Sequence, residues 1–174
     1  MSTLSKINFE PVSDILPIWR RDLPLADPAI AEPLNAVALV DGEWMTLNSS
    51  YQLLRAANVA VPGTLATLKS FPAWNKRGRY DRLAMAERKT TVLFRGEYEF
   101  DTRIFDAAVA LGAGAAITFV MQPIKVATIT FSGRNFVGLV GHGGAADANP
   151  VVGYVTRLPA SNGGKLRFIS GYRV

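Results

Sequence analysis

Cysteine is absent from this sequence, and histidine occurs once, as His142. Without cysteine there can be no disulfide, no thiolate nucleophile and no metal site built on thiolates. A metal would need a cage of carboxylates, but the fourteen acidic residues show neither the spacing of a calcium-binding loop nor a paired cluster. The composition therefore predicts no metal, no other cofactor and a fold stabilised by packing or by assembly.

Long apolar runs are also absent. No uninterrupted apolar stretch approaches the ~20 residues that a membrane-spanning helix needs. The first residues, "MSTLSKINFEPVSDILP", lack the apolar segment of a signal peptide. We expect a protein made in a cytoplasm with no membrane partner, and a length of 174 residues suits one domain with an appended arm.

Acidic residues are scarce in the C-terminal part of the chain. After Asp106 the sequence has six basic residues and one acid, Asp147, so this part carries the whole formal charge of +5. Such asymmetry favours an acidic partner, either nucleic acid or a negatively charged protein surface. Because the six charges are scattered, a solvated strand face explains them equally well.

The N-terminal segment is rich in proline and in apolar residues. Five of the ten prolines fall in the first 33 residues, too closely spaced for a regular element to run far between them. The segment is too apolar for a solvated linker. We predict that residues 1–35 form an extended arm that lies on an apolar surface, either of its own domain or of a neighbouring subunit. By residue type, the expected partner-binding anchors are Ile15, Ile18, Trp19, Arg20, Leu23 and Leu25.

Residues 36–174 show short β-branched and aromatic runs separated by turn residues. Asp41-Gly42 in "AVALVDGEWMTLN" is the strongest hairpin signal. Further strands are expected in "KTTVLFRG", "YEFDTRIF", "AAITFVMQ", "KVATITF", "NFVGLVG", "VVGYVTRLPA" and "KLRFISGYRV". Asp101 before "TRIFDAAVAL" could equally cap a short helix. Strands at this spacing predict an all-β fold, an antiparallel barrel or sandwich.

Two glycine-rich stretches superficially resemble ligand-binding loops. "LGAGAAI" begins like a dinucleotide-binding fingerprint, but Ile117 stands where a third glycine is needed and a strand-like run follows. "GHGGAADANP" lacks the lysine and the following helix of a phosphate loop. His142 has only Asp147 as a sequence-near carboxylate, and a lone loop histidine is typically exposed or bonded to backbone. We predict a mobile connection between strands here, and no catalytic residue.

Charged residues cluster in two further stretches. "WNKRGRYDR" interleaves aromatic and basic side chains, as single-strand-binding surfaces do, although Asp81 and Glu87 dilute its charge. Its candidate contacts are Trp74, Lys76, Arg77, Arg79 and Tyr80. "GEYEFD" places Glu97, Glu99 and Asp101 on one strand face. That face could bind a divalent cation, but pairing with the basic stretch is favoured.

One family resemblance runs through these segments. In order, "VDGEWMTLNSSYQLLRA", "FPAWNKRGRYD", "KTTVLFRGEYEFDTRIFD", "GLVGHGG" and "VVGYVTRLPASNGGKLRFI" resemble small virion proteins of tailed bacteriophages, usually taken to be head decoration (cementing) proteins. The resemblance spans about residues 36–170 and rests on strand and turn signatures. It implies a β-rich domain bound to the outside of an icosahedral capsid, where it stabilises joints between major capsid subunits.

These expectations combine into one leading hypothesis and two alternatives. The first is a non-enzymatic decoration protein on the capsid exterior, an antiparallel barrel or β-tulip-like domain with an N-terminal arm. Its partners would be the major capsid protein and neighbouring copies of itself, as a dimer or trimer on a symmetry axis. The second is a tail or head–tail joining protein. The third, a single-strand nucleic-acid-binding barrel, is not favoured.

Overall fold

The computed structural model describes residues 9–14, 19–27, 39, 42–56, 71–72, 89–95, 98–109, 114–131, 133–160 and 164–170. Within these ranges the chain forms twelve strands and a single 3₁₀ turn (Gly144–Ala146). The predicted all-β fold is confirmed. Among the same residues there is no helix long and apolar enough to cross a membrane. The predicted arm boundary at residue 35 lies outside the described residues.

The largest element is a seven-stranded sheet in the order β1-β7-β12-β11-β9-β10-β8. Its pairings are antiparallel except for the short contact between β10 and β8, which is parallel. The strands are β1 (Phe9–Asp14), β7 (Tyr98–Thr102), β8 (Phe105–Asp106), β9 (Pro123–Phe131), β10 (Arg134–Gly141), β11 (Gly153–Arg157) and β12 (Leu166–Ser170). The strands predicted in "KVATITF" and "NFVGLVG" are confirmed as the β9–β10 hairpin.

Two smaller sheets complete the described fold. One pairs β2 (Trp19–Pro24) with β6 (Lys89–Arg95). The other has the order β4-β3-β5, with β3 (Trp44–Leu47) between β4 (Leu53–Arg55) and β5 (Phe71–Pro72). Gly42 has φ of 90° just before β3, as the predicted Asp41-Gly42 turn requires. The first strand of that predicted hairpin lies outside the described residues.

The main core joins the seven-stranded sheet to the three-stranded one. Trp44 of β3 packs against Phe168 of β12, with ring centroids 6.2 Å apart, and Phe100 of β7 lies beside Phe168 at 6.5 Å. All three side chains are buried. In β12 the buried residues Leu166, Phe168 and Ser170 alternate with the less buried Arg167 and Ile169, which follows the period of two that places successive side chains on opposite faces of a sheet.

Strands β9 and β10 are apolar on both faces. Ile124 and Leu139 face the main core, whereas Ile129 and Phe136 belong to a second cluster with Ile104 on the opposite face. A strand covered on both faces loses the polar alternation of a half-exposed strand. This explains why "NFVGLVG" is almost continuously apolar.

A buried ion pair ties the two sheets together. The Glu43 carboxylate, fully buried just before β3, accepts hydrogen bonds from Arg55 Nε at 3.2 Å and Nη2 at 3.1 Å. It also accepts one from the backbone N–H of Val137 in β10 at 3.3 Å. Arg55 and the backbone N–H of Val137 together compensate the free-energy cost of burying the Glu43 carboxylate. Because Val137 lies in β10, this contact also fixes the three-stranded sheet against the seven-stranded one.

Two expectations need correction. "AAITFVMQ" was expected to be a strand, but residues 116–122 form a loop with one isolated bridge beside it, Ala115 to Gly141. The Gln122 side chain binds the loop backbone and replaces the inter-strand ladder. Asp101 does not cap a helix: it lies in β7, where Arg167 of the adjacent strand β12 and Arg157 of β11 bind its carboxylate.

Candidate interaction surface

Strands β1 and β2 of the predicted arm pair with β7 and β6 of their own chain. β1 runs antiparallel to β7, from Phe9 opposite Thr102 to Asp14 opposite Tyr98. β2 continues the pattern on β6, from Trp19 opposite Arg95 to the end of the strand. We call residues 9–14 and 19–24 with their partners 89–95 and 98–102 the arm ribbon. Backbone hydrogen bonding, and not only apolar contact, therefore holds the arm.

Two prolines of the arm ribbon lie at positions where a strand does not need a backbone N–H donor. Pro11 lies in β1, which is an edge strand of the seven-stranded sheet, and Pro24 ends β2. Proline is tolerated at edges and at bulges because it cannot donate to a ladder. The β1 register shifts between Pro11 and Ser13, and Val12 at this bulge is 38% exposed. The two described prolines of the predicted extended arm are thus accommodated in edge strands, and the other three lie outside the described residues.

The predicted anchor residues have different surroundings. Leu25 is buried with Met45 and Leu53, and Leu23 packs against the same cluster. The backbone N–H of Ala26 donates to the Leu53 carbonyl at 3.0 Å. This end of the arm lies on its own domain, one of the two surfaces that its composition allowed.

The structure describes only two of the four remaining anchors. Trp19 and Arg20 lie in β2 opposite Arg95 and Leu93 of β6, and Ile15 and Ile18 lie outside the described residues. The binding of a partner by any of these side chains stays a prediction.

An acidic side chain on β7 binds two arginines. Asp101 accepts hydrogen bonds from Arg167 Nε at 2.8 Å and from Arg157 Nη2 at 3.3 Å. The bond from Arg167 is the main reason why the pKa of Asp101 lies below its ordinary value, and the pKa of Arg167 is raised in return. Next to it, Thr156 donates to Glu99 at 2.6 Å.

Of the three predicted acids on this strand face, Asp101 binds basic residues of β11 and β12, Glu99 binds Thr156, and Glu97 lies outside the described residues. Within the described part of the chain there is no group of three side chains suited to hold a metal ion. The basic stretch at residues 74–82, predicted to face these acids or to bind nucleic acid, lies outside the described residues.

The connection around His142 is tied down by hydrogen bonds. His142 Nε2 lies 2.9 Å from the Asn149 carbonyl, and Nδ1 accepts the N–H of Gly144 at 3.1 Å. These partners assign the proton to Nε2 of a neutral ring. The expectation of a backbone-bonded histidine is confirmed, whereas the description of a merely mobile link misses this network.

Asp147 is the centre of that connection. Its carboxylate lies 2.7 Å from Lys125 Nζ and accepts the N–H of Gly143 at 2.9 Å and the side-chain amide of Asn149 at 2.7 Å. Burial alone would raise the pKa of Asp147, but these donors together hold it far below its ordinary value. The charges of Lys125 and Asp147 are therefore paired with each other at this loop.

An exposed apolar tip lies between residues 118 and 122. Phe119, Val120 and Met121 are exposed by 54%, 52% and 59%. A strand in this run, as its residue types predict, would not expose all three consecutive side chains. The Gln122 that follows Met121 was the available signal, because its amide can bond to a nearby loop backbone.

Comparison of the chain with protein-family models, curated proteins and solved structures finds no match.

Proposed function

We propose that the protein is a non-enzymatic virion structural protein that binds the outer surface of a bacteriophage capsid and stabilises contacts between major capsid subunits. The observation that carries the proposal is the arm ribbon, in which an N-terminal segment is added strand by strand to one acceptor segment. The resemblance of residues 36–170 to phage decoration proteins supports the same role. In this proposal the sheets, which share a core through Trp44 and Phe168, form a barrel or β-tulip-like domain.

The arm ribbon suits exchange between neighbouring copies. Its bonds are made by backbone groups, so the same segment of an adjacent copy offers an equivalent acceptor. Residues 28–38 separate the described end of the arm, Asp27, from Leu39, which packs beside Met45 and Leu53, and an extended chain of this length reaches roughly 36 Å. Copies held side by side on a lattice have a high effective concentration for such exchange. Exchanged arms would link subunits without any new type of contact.

Cysteine pairs test the exchange, because the natural chain has no cysteine. Asp22 and Thr91 are register partners in the arm ribbon. A mixture of chains carrying either Asp22→Cys or Thr91→Cys should form an oxidised heterodimer on particles, whereas the double variant in dilute solution should cross-link within one chain. Opposed residues in paired strands lie within the range that a disulfide spans.

The control pairs Asp22→Cys with Arg95→Cys, a residue about four positions, or ~13 Å, out of register. It should not cross-link in either setting. If the mixed single variants give no heterodimer on saturated particles, the arm stays on its own chain and the exchange is wrong. Deleting the arm would be a poorer test, since the deletion also removes β1, β2 and the buried Leu25 from the domain.

A further inference from the structure

The exposed tip at residues 119–121, named here the apolar prong, is unusual for a surface loop. Single exposed apolar residues are common on protein surfaces, but a contiguous apolar group is typical of a binding site. Each of its three side chains is more than half exposed. The types also matter, because phenylalanine and methionine are both enriched at the cores of protein interfaces.

The backbone of the prong is held in one shape. Gln122, 5% exposed, accepts the N–H of Thr118 at 2.8 Å and donates to the Ala116 carbonyl at 2.6 Å. The N–H of Met121 donates to the Val155 carbonyl at 2.6 Å, which fastens the prong to β11. A loop fixed before binding loses little conformational entropy when it docks.

Met121 has a backbone conformation that side chains rarely adopt. Its φ of 67° lies in the left-handed region, which is costly for a residue with a Cβ. Glycine at this position would relieve the strain and would also remove an apolar side chain from the surface. Tyr51 and Val109 are also exposed and have positive φ, so the prong is distinguished by three contiguous exposed apolar side chains and not by the conformation of Met121 alone.

Charges near the prong indicate the chemistry of the partner. Among described residues after Asp106 the one acid is Asp147, and Lys125 binds it. On β11, next to the prong, Tyr154 is 38% exposed and the Arg157 side chain 53% exposed. Arg157 shares the single carboxylate of Asp101 with Arg167, so two positive charges face one negative charge and the group keeps a net charge of +1. An apolar tip beside this net positive charge complements an apolar pocket with acidic residues at its rim.

Two other occupants fit these observations less well. Anionic membranes select clusters of several basic residues, whereas Arg157 is the one basic residue of β11 beside the prong. A symmetric contact between two prongs would bring like-charged surfaces of two copies together. We therefore propose that the apolar prong inserts into an acid-rimmed apolar pocket of another protein, which in the role proposed above is the major capsid protein. This assignment rests on that proposed role.

The test compares binding to particles assembled without this protein. The variant Phe119→Ser/Met121→Ser should bind about 30-fold more weakly than the natural chain, as expected when central interface anchors are removed. The control is Tyr51→Ser, because Tyr51 is 74% exposed, also has positive φ, and lies in a different loop. It should bind as the natural chain does. Equal thermal midpoints of all three proteins would show that folding is unaffected.

The outcomes separate this inference from the proposed function. If the natural chain does not bind the particles, both are wrong; if it binds and the serine variant binds equally well, the prong assignment alone is wrong. A photoreactive residue in place of Val120 should form an adduct with the major capsid protein. An adduct with a second copy of the chain, or prong-dependent flotation with anionic vesicles, would overturn the assignment.

Discussion

Among single residues, Asp147 has the most connected side chain of the described C-terminal part. It binds Lys125 and the loop backbone between β10 and β11. Replacing it with asparagine should lower the free energy of unfolding at pH 7 by about 2 kcal/mol, the usual value for hydrogen bonds to a charged group. Urea unfolding of Asp147→Asn beside the natural chain measures this difference.

The effect of Asp147→Asn should depend on pH. The folded-state pKa of Asp147 lies below the value of about 3.9 expected in the unfolded chain. Its stabilising contribution is therefore complete above about pH 5 and is lost as pH falls through 3.9 towards the folded-state pKa. The difference between the two proteins should be smaller at pH 3 than at pH 7. A difference that is the same at both pH values would contradict this role of Asp147.

The loop at residues 115–122 packs closely against Gly141 of β10. A Cβ at Gly141 would lie 2.5 Å from the Ala115 carbonyl oxygen and 2.8 Å from Gln122 Nε2. Gly141→Ala should therefore displace the loop and lower the free energy of unfolding by about 2 kcal/mol, as overpacking does. In Gly143→Ala the nearest atom, Asp147 Oδ2, is 3.3 Å away and needs to move by only a few tenths of an ångström, so this control should lower stability less than Gly141→Ala does. Similar stabilities of both variants would show that the loop does not rest on Gly141.

Elements differ in how far the sequence predicts them. "KVATITF" and "NFVGLVG" were predicted as strands, because their residues have strong β propensity and turn residues separate them. The loop at 116–122 has equally strand-like residues, but Gln122 satisfies its backbone in another way. That side-chain bonding depends on three-dimensional closeness that strand propensity does not contain.

The pairing within the arm ribbon also could not be predicted from strand propensity, because the paired segments lie far apart in the sequence. Sequence composition predicted an arm that lies on an apolar surface, and five of its six named anchors were chosen for their apolar side chains. Its acceptor, residues 89–102, is about eighty positions away in sequence, and antiparallel pairing between such distant segments leaves no local pattern. The bulge in β1 shifts the register further. Neither the partner segment nor the buried position of Leu25 could be read from the residues alone.

At the level of the whole molecule, many of the described charges are paired within the chain. Asp101 binds Arg157 and Arg167, Glu43 binds Arg55, and Asp147 binds Lys125. Apolar contact and strand pairing are therefore better suited to attach this protein to a partner than are its paired charges. Weak contacts of this kind give high occupancy when many copies act together on a symmetric lattice.

The central claim, that the protein covers the outside of a capsid, has one direct measurement. Cryo-electron microscopy of particles that carry the chain should show on the order of hundreds of copies on the outer surface, arranged by icosahedral symmetry. The map should also place residues 119–121 in a pocket of the major capsid protein. A single ring of copies at the neck or tail, or density only inside the shell, would contradict the account.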